Sequence, residues 1–264
     1  MCNILNRLGY NRKKIQKNKP LKKIPEVDEI FKNVHKINEI SDNNSKSVRI
    51  SIDAKAKKHI GNLSAKGKSR NKNILISDDH DTEIIDKLVP YGIKNMTNGE
   101  NTFYFGNSKE TADFIVDCIE KWLQENKSKI KNMEELVINL DNGPEQRNNR
   151  TQFLNRLVDL AKREKIKIHL AYYPPYHSKY NPIEHVFGTL EQYWNGIILD
   201  SVEKTLKVVK NMICGGKKPV SVKLIDKIYE KGVTIKKELR EDYEKYLVKS
   251  EKLPKWDVLI NPNL

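Results

Sequence analysis

The sequence predicts an α/β protein: a mixed β-sheet flanked by helices, with helical appendages at its N- and C-terminal ends. Three observations carry this. Leu136-Val137-Ile138-Asn139-Leu140 is a short, nearly continuous apolar run stopped by Asp141-Asn142-Gly143-Pro144, the pattern of a buried strand that ends in a turn. Val48-Arg49-Ile50-Ser51-Ile52-Asp53 alternates apolar and polar residues with the period of two that marks a strand. Between and after such runs apolar residues recur at helical spacing, so strands and helices alternate along the chain instead of segregating.

Taken in order, Asn3 to Gly9 reads as the tail of a helix closed by a glycine. Lys17 to Pro25 is a basic, proline-punctuated linker, and residues 24–47 hold a linking helix with Val27, Ile30, Phe31, Val34 and Ile37 on one stripe. The sheet begins at 48–53 and is expected to continue with a strand near 57–63. A loop-rich stretch follows to about 101, and its pairing cannot be read from the sequence. Phe103-Tyr104-Phe105 is the third expected strand. A helix with an Asn107-x-x-Glu110 capping box then presents Thr111, Ile115, Cys118 and Trp122 on one face. After the strand ending at Asp141 come a helix with Phe153, Leu157, Leu160 and Ala161 inward, a strand from Lys167 to Ala171, and a helix with Ile183, Phe187, Leu190 and Trp194 inward. The order is βββαβαβα. Residues 201–247 read as further helices, through Leu206, Val209 and Ile213 and then Leu224, Ile225 and Ile228, so the core is placed at 48–200 and a helical C-terminal region at 201–264.

Three acids stand where these elements end. Asp53 and Asp141 close strands, a place where an aspartate also serves as a plain turn or cap residue. Glu184 follows Asn181-Pro182-Ile183, with Asn181 at the N-cap, Pro182 at the first helical position and Glu184 at the third. That spacing is also a capping box, so Glu184 alone would mean little. Three carboxylates together suit hard divalent cations, which take oxygen ligands, and a central aspartate can bridge two of them. Glu191, two turns along the same helical face, rivals Glu184. Asp78-Asp79-His80-Asp81 rivals Asp53 as the source of the first ligand, although adjacent acids cannot all face one ion.

With Asn-Leu-Asp-Asn-Gly-Pro at 139–144 and Tyr-Tyr-Pro-Pro-Tyr-His-Ser-Lys-Tyr-Asn-Pro-Ile-Glu at 172–184, the series Asp53, Asp141 and Glu184 resembles the DDE transposases of bacterial insertion sequences. More narrowly it resembles the Rhodopirellula-type transposase DDE-domain family, distantly similar to mariner-like elements, over residues from about 1 to about 250. The resemblance implies an RNase H-like catalytic core at 48–200 with Asp53, Asp141 and Glu184 as catalytic metal ligands. It further implies two Mg²⁺ ions, for which Mn²⁺ can substitute, and cleavage of transposon-end DNA followed by strand transfer to target DNA. The partners it implies are double-stranded DNA and further copies of the chain in a homo-oligomeric synaptic complex. In that family a helix-turn-helix region precedes the core, so residues 1–23 are expected to be its remnant end and a basic linker. Two other readings stay open: an RNase H-like nuclease or resolvase, and a non-catalytic DNA-binding remnant of a transposase.

Composition agrees with a polyanionic partner. Lys and Arg number 49 against 35 Asp and Glu, a net charge of +14. Eight of the basic residues lie between Met1 and Lys23 and seven between Lys55 and Lys72, with no acid in either run. Cations so close to Asp53 are what a phosphate backbone needs. The candidate DNA contacts are therefore Lys55, Lys57, Lys58, Lys66, Lys68 and Arg70, together with His177 and Lys179 beside the third acid. The three cysteines, Cys2, Cys118 and Cys214, form no Cys-x-x-Cys pair and are odd in number, so neither a zinc knuckle nor a disulfide framework is indicated and a reducing cytoplasm fits. No apolar run reaches about 18 residues and no hydrophobic signal core opens the chain, so neither membrane insertion nor secretion is expected. No phosphate-cradling glycine loop, Ser-His-Asp signature or nicotinamide fingerprint occurs, and no nucleotide cofactor is implied.

Overall fold

The computed structural model describes residues 2–10, 24–64, 67–68, 70, 72–78 and 84–264. In chain order the elements are α1 (Cys2–Arg7), α2 (Val27–Asp42), β1 (Ser47–Ala54), β2 (Lys58–Ile60), β3 (Asp86–Asn95), β4 (Asn101–Gly106) and α3 (Ala112–Asn126). They continue with β5 (Glu135–Leu140), α4 (Thr151–Glu164), β6 (Lys167–Tyr172), a 3₁₀ turn (Ser178–Tyr180) and α5 (Pro182–Trp194). The last are α6 (Val202–Lys210), β7 (Ser221–Ile225), α7 (Lys237–Glu244), β8 (Leu247–Lys249) and β9 (Asp257–Ile260). As expected, α1 unwinds at a glycine, Gly9, with φ 85°. The expected linker from Lys17 to Pro25 lies outside the described residues except at its end.

Among the described residues all nine strands join one sheet, ordered β7-β4-β3-β1-β5-β6-β9-β8, with β2 paired to β3 beside this path. The hairpin-like partners β1, β3 and β4 run antiparallel, whereas β1, β5 and β6 run parallel with α3 and α4 as crossovers. Side chains alternate across the sheet and build a core on each face. On one face Ile50, Ile52 and Tyr104 pack with Ile115, Trp122, Phe153 and Leu157 from α3 and α4, whereas α2 lies on the opposite face, where its Asp42 and Asn38 accept hydrogen bonds from Arg49 and Asn139. On the other, Phe103 and Phe105 meet Ile183, Phe187, Leu190 and Trp194 of α5. The inward faces read from sequence for α3, α4 and α5 are the buried ones, and on α2 Ile30, Val34 and Ile37 are buried while Val27 and Phe31 are half-buried.

Three expectations change. The strand placed near 57–63 is only the short β2, and the second strand of the sheet proper is β3, inside the stretch that read as loop. Pro90 and Gly92 hid it, since proline removes a ladder donor and glycine weakens a strand. Pro90 sits just past the last β1 pair, Ala54 with Tyr91, where its carbonyl still accepts the Lys55 N–H at 2.8 Å. The expected cap of α3 also moves: Thr111 accepts the Phe114 N–H at 3.2 Å, while Asn107 donates to Asp226. Finally, the C-terminal region is not wholly helical. Ser-Val-Lys-Leu-Ile at 221–225 alternates with period two and pairs parallel to β4, and β9 and β8 extend the opposite edge beyond β6.

Candidate active site

The parallel register of β1 and β5 brings the first two acids together. Ile50 pairs with Ile138 and Ser51 with Asn139, so the same register carried two residues further, just past the end of β5, sets Asp53 alongside Asp141, whose charge acts on it. Neighbouring strands lie about 4.8 Å apart. Both side chains emerge where β5 stops and its turn opens, on the face opposite Ile50 and Ile52 and toward α5. Glu184 enters from the first turn of α5.

Each acid has a different setting. Asp53 is 7% exposed and accepts the Ala54 N–H at 2.8 Å. Asp141 is half-buried, and its Oδ1 accepts both the Gly143 N–H at 3.0 Å and the Gln146 side-chain amide at 2.6 Å. Gln146 is itself held by the Tyr172 hydroxyl, which donates to its carbonyl at 2.9 Å. A Cβ on Gly143 would stand 3.0 Å from the same Oδ1, a close contact that would press on the carboxylate. The side chain that orients Asp141 is Gln146 and not the adjacent Asn142. The Asn142 Oδ1 is buried and unpartnered among the described residues.

Asn181 occupies the N-cap position of α5 but does not cap it. Its side chain turns into the sheet, where Oδ1 accepts the Ser51 hydroxyl and Nδ2 donates to the Ile52 carbonyl at 2.9 Å. Ser51 Oγ in turn accepts the Ile183 N–H at 2.9 Å, so a residue of β1 caps the helix. The capping box read from Asn181 and Glu184 is thus replaced by a cross-link to the strand that carries Asp53.

Electrostatically the site is short of positive charge. Burial first, then the carboxylates of Asp141 and Glu184, hold the Asp53 carboxyl well above the ordinary aspartate range. Glu110, in the loop before α3, is also raised, by burial, by Glu145 and in smaller part by Asp141. Sequence reading gave Glu110 to a helix cap and so missed its place here. A buried carboxyl repelled by two others fits a divalent cation with oxygen ligands, which would favour the ionised form of all three. Among the described residues no three His, Cys, Asp or Glu side chains already converge at ligating distance.

The remaining candidates divide. Glu191 forms an ion pair with Lys55 at 2.7 Å. Asp78 is exposed and accepts from Asn62, while Asp79, His80, Asp81 and Lys66 lie outside the described residues. Lys57, Lys68, Arg70 and Lys179 are exposed. Lys55 and Lys58 lie against α5, over the rings of Phe187 and Trp194 at 5.4 and 5.3 Å. His177 is half-buried, with Nδ1 2.8 Å from the Pro175 carbonyl and its ring edge-on to Phe31. No helix among the described residues is long and apolar enough to cross a membrane.

The family profile described as Rhodopirellula transposase DDE domain matches residues 1–262. No curated protein matches the chain. Among solved structures, "Mos1 transposase paired-end complex with left transposon end" superposes with a TM-score of 0.50 at 14% identity, over 78% of this chain and 60% of that one. "Crystal structure of the Mos1 mariner paired end complex with Mn" gives the same values. At this identity the likeness is one of fold, the RNase H-like sheet and its helices, and the chain spans 60% of the Mos1 chains.

Proposed function

Since the chain belongs to the family of the Rhodopirellula transposase DDE domain, we propose that it is the catalytic part of a DNA transposase. It would hydrolyse the phosphodiesters at the ends of its element and join the freed 3′-OH to target DNA. Asp53, Asp141 and Glu184 are the residues that would hold the Mg²⁺ ions, two being expected and Mn²⁺ able to substitute. A bound pair of such ions supplies activation of the attacking hydroxyl and stabilisation of the departing 3′ oxygen. The chain's own part is to hold the carboxylates and the DNA. The observation that carries this reading is the register of β1 and β5, which sets a buried Asp53 beside an Asp141 already fixed by Gly143 and Gln146.

Exposed Lys57, Lys68, Arg70 and Lys179 suit the phosphates of double-stranded DNA, and a synaptic complex would bring two or more copies of the chain together. Asp141→Asn tests the site. On supercoiled plasmid carrying the element's ends, with Mg²⁺ or Mn²⁺, cleavage should be lost while DNA binding is largely kept. Cleavage by the variant at the wild-type rate would remove Asp141 from the site. Joined products with the wild-type chain separate a transposase from a nuclease or resolvase that only cuts.

A further inference from the structure

We infer that Ser51 and Asn181 are positioning residues that fix the carboxylate of Glu184 relative to Asp53. The inference rests on the metal-site reading above and assigns roles to two residues outside its ligand set. Both side chains are 0% exposed. Ile52 offers only a carbonyl, so the NH₂ of Asn181 must face it and Oδ1 must face Ser51. The Ser51 hydroxyl then has one choice: its proton goes to Asn181 Oδ1 and a lone pair receives the Ile183 N–H. The chain of donors runs one way, from α5 to Ser51 to Asn181 and back to β1.

The two residues it ties are neighbours of the acids. Ser51 is two residues before Asp53 on the same face of β1, and Asn181 is three before Glu184 at the start of α5. Packing reinforces the tie at one further place. Gly92 is paired in register with Asp53, and a Cβ there would stand 2.8 Å from Ile183 Cδ1 and 2.9 Å from Phe187 Cε1. The first turn of α5 therefore rests directly on the backbone beside Asp53. A helix cap supplied by its own asparagine would satisfy the same N–H without fixing the helix to the strand. The exchange of caps is what couples Glu184 to Asp53.

The test is Mn²⁺ binding to the full chain, followed by electron paramagnetic resonance, with the thermal midpoint measured alongside. Ser51→Ala and Asn181→Ala should each weaken Mn²⁺ binding by about tenfold, the lower end of what residues supporting a metal ligand usually contribute. Combined with Glu184→Gln, the same substitutions should weaken it little further, because they act through that carboxylate. A purely structural role would lower the thermal midpoint and multiply with Glu184→Gln, and that result overturns the inference. So does wild-type Mn²⁺ affinity in both single variants. If Asn181→Ala does not fold, Ser51→Ala, which removes one oxygen, carries the test. Should Glu184→Gln itself leave Mn²⁺ affinity unchanged, the metal-site reading falls and this inference with it, an outcome distinct from failure of the positioning residues alone.

Discussion

The ammonium of Lys55 lies 2.7 Å from the carboxylate of Glu191 and 5.4 Å over the ring of Phe187. Helical spacing puts Glu184 and Glu191 on one face of α5, and spacing alone does not choose between them. Lys55 separates them physically. It pairs with Glu191, while Glu184 is one of the carboxylates whose repulsion acts on Asp53.

Glu184→Gln is therefore expected to abolish metal-dependent cleavage, and Glu191→Gln to leave at least half of it. Single-turnover rates on end-containing DNA with Mg²⁺ check this. Equal losses at both positions would mean that the roles of the two acids on α5 have been misassigned.

Asp53→Asn should separate stability from metal binding. Without divalent ions it removes a carboxyl whose ionisation is opposed by burial, Asp141 and Glu184, so the thermal midpoint should rise by roughly 2–4 °C, about 1 kcal/mol in a chain of this size. Wild-type protein should gain further stability on adding Mn²⁺ and the variant should not. Differential scanning calorimetry with and without the ion reads both effects. A lower midpoint for the metal-free variant would show that the Ala54 N–H contact outweighs the repulsion.

DNA affinity should fall steeply with salt, through the exposed cations. Replacing Lys57, Lys68 and Arg70 by alanine should lower the slope of log K against log salt by about one per lost phosphate contact. Lys55→Ala should change the slope less, since that ammonium is already paired with Glu191. Fluorescence anisotropy between about 50 and 200 mM salt measures the difference, and a larger effect from Lys55 would reverse this ranking.

Acid stability should depend on Asp117. Burial would raise its carboxyl, but hydrogen bonds from Lys227, Arg156 and Tyr229 outweigh burial and hold it below the ordinary aspartate range. A depressed folded value means that the added stability is complete above the unfolded value, about 3.9, and disappears as pH falls through the folded one. Asp117→Asn should thus flatten the fall in thermal midpoint between about pH 5 and pH 2. An undiminished fall would place the acid sensitivity elsewhere, Asp257 beside His169 being the next such group.

The three candidate acids were legible because each stands at the end of an element, Asp53 and Asp141 where strands stop and Glu184 in the first turn of α5. Leu136 to Leu140 could only be a buried strand, and its end placed Asp141. What joins the acids was not legible. The proximity of Asp53 and Asp141 depends on which strands are parallel neighbours and in what register, which no local pattern encodes. Asn181 carried a correct signal for the start of α5 and a wrong one for its own bonds, because burial under the helix offered it the Ile52 carbonyl instead. Gln146 gave no signal, lying in a polar turn where one residue looks like another. Strand β3 was concealed by Pro90 and Gly92, the same glycine that lets α5 approach the sheet. β7 alternates plainly but is short, and only its partner β4 decides that it is a strand.

Both edges of the sheet are closed by segments that come last in the chain, β7 beside β4 and β9 beside β6. While the polypeptide emerges from the ribosome, the strands bearing Asp53 and Asp141 can pair before residues 221–260 exist, yet β4 and β6 then present rows of unmatched amide and carbonyl groups. Bare edges of that kind recruit other strands. A chain lacking residues 221–260 is therefore expected to pair with other copies through β4 and β6, so covering those two strands is a further service of β7 and β9.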